Sequence, residues 1–74
     1  MEFEKLTKII GDILNIDPKS IRREDKLEDL GADSLDVFQI VIGIEEELRL
    51  EVDPTEAEKL RTVGDVFDAI SKMT

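Results

Sequence analysis

Apolar residues recur along this chain at spacings of three and four, the period of an amphipathic helix. Phe3, Leu6, Ile9, Ile10, Ile13 and Leu14 fall on one side of a helix predicted over about residues 2–14, with Lys5, Lys8 and Asp12 on the other. Gly11 weakens that prediction, because glycine costs about 1 kcal/mol against alanine inside a helix. Residues 15–32 form a long connection. Asp17-Pro18 is a cap followed by proline at a first helical position, which predicts a short helical turn near residues 18–22. Ile21, Leu27 and Leu30 are the residues expected to press this connection onto the core. A loop of this length inside a compact domain needs a reason, and delivering a particular residue to one corner of the fold would be one. An ordinary crossover between helices is the plain alternative.

The second long helix is predicted over residues 34–48 and carries more apolar residues than one stripe can hold. Val37, Ile40, Val41, Ile44 and Leu48 make one face, whereas Leu35, Phe38 and Ile42 make another. A helix apolar on two sides is either central in a bundle or shows one side to a partner. The first face is assigned to the core and the second to a partner or a bound apolar chain; burial of both is the competing possibility. After a connector at residues 49–52, Asp53-Pro54-Thr55-Glu56 gives an N-cap, a proline at N1 and an acid at N3. A short helix of about two turns is predicted there, with Ala57 and Leu60 inward. Thr62-Val63-Gly64-Asp65 repeats the capping pattern and opens a last helix with Val63, Val66, Phe67 and Ile70 as its core stripe. Residues 48–52 alternate as a strand would, but a single strand would have no partner. The expected fold is therefore all-α: a small four-helix bundle with three main helices, one short helix and a long first loop, as one domain over residues 1–74.

Charge sharpens this picture. The 74 residues carry a formal net charge of −9, with no histidine and no cysteine. A balance this acidic disfavours nucleic acid and anionic membrane surfaces and favours basic protein surfaces. The distribution is also uneven: residues 27–48 contain no lysine or arginine but hold Glu28, Asp29, Asp33, Asp36, Glu45, Glu46 and Glu47. A merely solvated helix mixes signs to gain i,i+4 pairs. One-signed charge beside an apolar stripe has the form of a docking surface. Glu45, Glu46 and Glu47 also lie near the negative end of their own helix, where acids are mildly unfavourable. No apolar run approaches membrane-spanning length, and the first residues are acidic where a targeting peptide would be basic. A cytoplasmic monomer is expected.

The candidate chemistry centres on Ser34, at the start of the second helix. Gly31 breaks the preceding chain, Asp33 can accept from the free N–H groups of the first turn, and Asp36 can return the favour three residues on, as in a capping box. An attached phosphate at Ser34 would meet a helix N-terminus, which attracts it by about 0.3–1 kcal/mol. A unit negative charge about 7 Å away in water repels it by roughly 0.6 kcal/mol. These nearly cancel, so the aspartates are better explained by a basic partner approaching the serine.

Catalysis by Ser34 itself lacks support: there is no histidine to serve as base, no Ser-x-x-Lys pattern, no glycine-rich phosphate loop and no spaced Asp-x-Asp-x-Asp-Gly calcium loop. The run Leu27-Glu28-Asp29-Leu30-Gly31-Ala32-Asp33-Ser34-Leu35-Asp36, followed by an apolar helix and Glu45-Glu46-Glu47, resembles the core signature of the acyl carrier proteins, and the resemblance covers nearly the whole chain. It implies that Ser34, flanked by Asp33 and Leu35, carries 4′-phosphopantetheine placed there from coenzyme A by a phosphopantetheinyl transferase. A cysteine-free protein would then do thiol chemistry with the sulfur of its cofactor.

The resemblance also implies a carrier rather than an enzyme, one that presents acyl thioesters to the ketosynthase, reductase, dehydratase and acyltransferase of bacterial-type fatty-acid synthesis through basic docking patches. Asp36, Phe38, Gln39, Ile42, Glu45, Glu46 and Glu56 are the expected partner-binding residues. Ile42, Ala57 and Leu60 are the expected lining for a retreating acyl chain. Gln39, Phe38, Val37 and Arg49 depart from the usual family pattern, trimming the acidic surface and enlarging the apolar one. A dedicated carrier for a polyketide, lipid or aminoacyl pathway is the nearest alternative, and a cofactor-free acidic adaptor is the alternative from another class.

Overall fold

The computed structural model describes residues 1–73. Its elements in chain order are α1 (Phe3–Leu14), a 3₁₀ turn (Pro18–Ser20), a second 3₁₀ turn (Glu28–Leu30), α2 (Ser34–Leu48), α3 (Pro54–Ala57) and α4 (Val63–Met73). This is the all-α, four-helix arrangement with a long first loop that the periodicity predicts. Among the described residues strand pairing is limited to one isolated antiparallel bridge between Lys26 and Thr62. The alternating residues 48–52 remain a connector.

The core forms where the helical stripes meet. Leu6 and Ile10 of α1, Ile40 and Ile44 of α2, and Val63, Val66 and Ile70 of α4 are buried together with Ile21, Leu27 and Ala32 of the loop. Phe3 and Phe67 close one end of it edge to face, with ring centroids 5.5 Å apart. Gly11 has a steric reason to be there. The chain leaving α1 turns back so tightly that a Cβ on Gly11 would lie 2.8 Å from the Ile16 carbonyl oxygen and 2.9 Å from Pro18 Cγ. Gly11→Ala would gain about 1 kcal/mol of helix propensity, but overpacking of this kind costs about 1–3 kcal/mol. The variant is expected to melt below wild type in a thermal scan followed by circular dichroism, and a higher Tm would contradict this account of the turn.

The long loop is fastened by backbone as well as by apolar anchors. A helix leaves its first N–H groups without internal partners. In α4 the Val63 and Gly64 N–H groups donate to the carbonyls of Asp25 and Arg23, at 3.0 and 2.9 Å, and Leu27 N–H donates to Arg61 O at 2.9 Å. The Arg23 guanidinium reaches both carboxylate oxygens of Asp68 at 3.1 Å and lies 5.8 Å from the Phe67 ring centroid. Ile21 and Leu27 are buried as expected, and Leu30 is half-buried.

The predicted cap of α4 forms, with Asp65 N–H donating to Thr62 Oγ1 at 3.0 Å and Thr62 N–H donating to Asp65 Oδ2 at 3.2 Å. The Thr62 and Arg61 N–H groups hold the Asp65 carboxyl below the usual carboxylate range. A depressed carboxyl stabilises the fold above its unfolded pKa, and that contribution is lost as acid protonates the folded form.

The short third helix differs from its prediction. It makes one turn, not two. The Asp53 carboxylate accepts from Thr55 N–H at 2.8 Å, and Glu56 turns to Lys59 at 3.5 Å instead of closing a capping box. The following bonds, Lys59 N–H to Glu56 O and Leu60 N–H to Ala57 O, are of the tighter i−3 kind. With only Ala57 and Leu60 facing inward, little burial is available to propagate the helix further.

Candidate functional site

The site is built on the junction between the first loop and α2. The second 3₁₀ turn ends at Gly31, whose left-handed φ of 93° suits a residue without a Cβ. Ala32 N–H then folds back onto Leu27 O at 3.0 Å, which fixes the direction in which the chain enters α2. Asp33 is the N-cap, and the capping box is complete. Asp36 N–H donates to Asp33 Oδ1 at 2.8 Å, and Asp33 N–H donates to Asp36 Oδ2 at 3.3 Å. The two aspartates beside the serine therefore spend part of their hydrogen-bonding capacity on the helix end. Ser34, the first residue of α2, is exposed, and its hydroxyl makes no hydrogen bond among the described residues.

Ser34 stands on the rim of an open groove of about 980 Å³ that runs between α2 and the segment bearing α3. On the α2 side the groove follows one helical line, Ser34, Val37, Phe38, Val41 and Glu45; on the other side are Val52, Pro54, Ala57 and Leu60, with Leu27 and Ala32 beneath. A 1.5 Å rise per residue makes the span from Ser34 to Glu45 about 16 Å. The lining is mixed: the apolar residues are joined by Lys26, Glu28, Glu58 and Arg61, and an apolar floor with a polar rim suits a chain-like apolar ligand with a fixed attachment point. Ala57 and Leu60 line it as predicted.

Ile42 does not line the groove, which corrects its assignment as part of that lining. It stands about 40° of helical rotation beyond Phe38, the last groove residue on that side of α2. It joins Leu35 and Phe38 on the outer face, where the three are 37 %, 62 % and 58 % exposed. The division of α2 into a buried and an exposed apolar stripe thus agrees with the structure, since Ile40, Val41 and Ile44 are buried. Val37, Val41 and Val52 are groove residues that sequence reasoning placed in the core or in a connector. The four-residue spacing from Val37 through Val41 to Glu45, on the side of Ser34, is the signal that could have found the first two.

The acidic run divides by direction. Glu46 is exposed and makes no ion pair or side-chain hydrogen bond among the described residues. Glu47 pairs with Lys5 of α1, and this hydrogen bond raises the Lys5 pKa. Glu45 is half-buried, and its Oε2 accepts from Val52 N–H at 2.8 Å. Gln39 and Glu56 are exposed, and Asp36 is half-buried in its cap. Asp36, Phe38, Gln39, Ile42 and Glu46 all lie on α2, while Glu56 lies on α3 and Glu45 is engaged within the molecule. No His/Cys/Asp/Glu cluster suited to a metal ion occurs among the described residues, and none of their helices is long and apolar enough to cross a membrane.

Residues 4–70 match the family described as the phosphopantetheine attachment site. An acyl carrier protein of Clostridium acetobutylicum is 45% identical over 75 aligned positions, covering 100% of this chain and 97% of that one. One from Campylobacter curvus is 42% identical over 72, covering 96% and 94%. Among solved structures, the acyl carrier protein of Thermotoga maritima superposes with a TM-score of 0.82 at 31% identity, covering 92% of this chain and 80% of that one.

Proposed function

Since this chain belongs to the acyl carrier protein family, whose members carry phosphopantetheine, we propose that Ser34 is its attachment residue and that the protein serves fatty-acid synthesis as a single cytoplasmic carrier domain over residues 1–74. The observation that carries this reading is the free Ser34 hydroxyl on the first residue of α2, at the rim of an apolar groove. The residues present fit the group. The hydroxyl is open to a transferase, the helix N-terminus favours the phosphodiester, and the capping box holds the attachment point still. Bound there, the cofactor supplies a thiol for thioester formation at the end of a flexible arm. The chain's own part is to fix the root of that arm and to offer the groove walls at Val37, Val41, Ala57 and Leu60 to an acyl chain.

Docking follows from the exposed face of α2. Leu35, Phe38 and Ile42 offer apolar contact, and Asp36 and Glu46 offer charge to basic patches on the phosphopantetheinyl transferase and on the ketosynthase, reductase, dehydratase and acyltransferase. A carrier must leave each enzyme, which favours small interfaces with steered association. Incubation with coenzyme A and a phosphopantetheinyl transferase is expected to raise the intact mass by one phosphopantetheine. A mass that stays unchanged with several transferases would favour a cofactor-free adaptor.

Steering has its own test. Glu46→Lys is expected to slow association with a partner enzyme by up to about tenfold at low salt, the gap narrowing as salt screens the surface. Equal slowing at both ionic strengths in stopped-flow measurements would contradict steering. Asp36→Lys should act in the same direction and also lower the Tm slightly, because it removes the returning half of the capping box, Asp33 N–H to Asp36 Oδ2, and places a cation at the positive end of α2, an effect of about 0.3–1 kcal/mol.

A further inference from the structure

The α3 wall of the groove rests lightly on the bundle. It is one helical turn long, and none of its four residues is buried. Outside the chain connection itself, one side-chain hydrogen bond ties this segment to α2 among the described residues. Val52 N–H, two residues before Pro54, donates to Glu45 Oε2 at 2.8 Å. Glu45 and Val52 lie on opposite walls of the groove that begins at Ser34. The bond is charge-assisted and partly sheltered from water, conditions under which hydrogen bonds are strongest. It also accounts for an acid in the last turn of α2, where the helix dipole disfavours one. Glu46 and Glu47, on either side of the same helical turn, have nothing to do with the groove.

We propose that Glu45 is a positioning residue of the carrier, a clasp that holds the α3 wall against α2. Release of Val52 N–H lets the wall move outward to admit or expel an acyl chain, and recapture closes the groove. The clasp deepens the reading that acyl cargo uses this groove and rests on it for its purpose, but its existence can be tested without cargo. A hydrogen bond of this kind favours the closed wall by about ten- to a hundredfold. Opening needs only this one bond and the modest contacts of Ala57 and Leu60 to give way, so the wall can move while the α1, α2 and α4 core stays packed.

The experiment is amide hydrogen exchange by NMR on the full chain, comparing wild type with Glu45→Ala, Glu45→Gln and Glu46→Ala. Glu45→Ala is expected to speed exchange at Val52 by about ten- to a hundredfold and to raise it through residues 55–60, with the Ile40 and Ile44 amides unchanged. Glu45→Gln, which keeps an acceptor oxygen, should restore part of the protection. Glu46→Ala, which removes the same charge from the next position, should leave Val52 at the wild-type rate. Unchanged Val52 exchange in Glu45→Ala, or an equal rise in Glu46→Ala, would overturn the clasp.

A second measurement follows cleavage of an octanoyl thioester by hydroxylamine on the loaded proteins, which Glu45→Ala should accelerate severalfold and Glu46→Ala should not. Faster exchange with unaltered cleavage would overturn the role in gating while leaving attachment at Ser34 standing. Failure of wild type to accept the arm would instead overturn the carrier reading, with the exchange result still deciding the clasp.

Discussion

Ile40→Ala is expected to lower the Tm by about 10–30 °C, whereas Ile42→Ala, two residues away, should lower it by no more than a few degrees. Ile40 is 1 % exposed and touches the residues where α1, α2 and α4 meet. Truncating a buried isoleucine to alanine costs about 2–5 kcal/mol, through lost transfer energy and the cavity left behind. A domain of 74 residues has a total stability of roughly 4–11 kcal/mol at the usual value per residue. Each kcal/mol shifts the Tm of a domain this size by about 4–8 °C. There is no disulfide to hold the chain together, and a net charge of −9 pushes the folded form apart, more so at low salt. Ile42 sits on the exposed stripe and contributes little to folding; its loss should appear in partner binding instead. Thermal melts of both variants in the same buffer make the comparison, and equal losses would contradict the assignment of the two stripes.

Ser34→Ala is expected to abolish acyl carriage completely while leaving the fold intact. The hydroxyl is exposed and makes no internal hydrogen bond, so its removal deletes no native contact. Surface substitutions of this kind change stability by about 0.5 kcal/mol or less, and alanine is a better helix former than serine. The capping box depends on Asp33 and Asp36, not on Ser34. Loading with coenzyme A and a transferase, followed by acylation and native gel or mass analysis, should show no product, with circular dichroism and Tm at wild-type values. Residual loading would place the attachment elsewhere. A collapse of the fold would show a structural role that the geometry does not give this residue.

Much of this fold can be read in the residues because local signals and burial agree. The bounds of α2 follow from Asp33 at one end and the loss of apolar periodicity after Leu48 at the other, and of the three caps predicted by an acid three residues after the N-cap, those at Asp33 and Thr62 close, whereas Glu56 turns to Lys59 instead of back to Asp53. The two stripes of α2 were separable because 3.6 residues per turn sends Ile40 and Ile42 to different sides. The exposed place of Ser34 at the start of α2 was legible from its neighbours, a glycine-ended loop before it and a capped helix after it.

What was not legible depended on contacts distant in sequence. The length of α3 was overestimated because a proline and a cap announce a start, whereas the stop came from how little surface the helix could bury. The ties from the Arg23 and Asp25 carbonyls to α4 are backbone to backbone and leave no mark in side-chain pattern. Glu45 was indistinguishable from Glu46 and Glu47 by type, and its separate use became visible only when Val52 was placed opposite it. Ile42 is expected in the groove from the family resemblance, and helical rotation carries it just past the edge that Phe38 marks.

The most direct test of the central claim is the mass of the protein purified from its own cell, taken intact and again after proteolysis. The account predicts one added phosphopantetheine, free or acylated, carried on the peptide that contains Ser34. An unmodified serine in that peptide, or the added mass on any other residue, would contradict it.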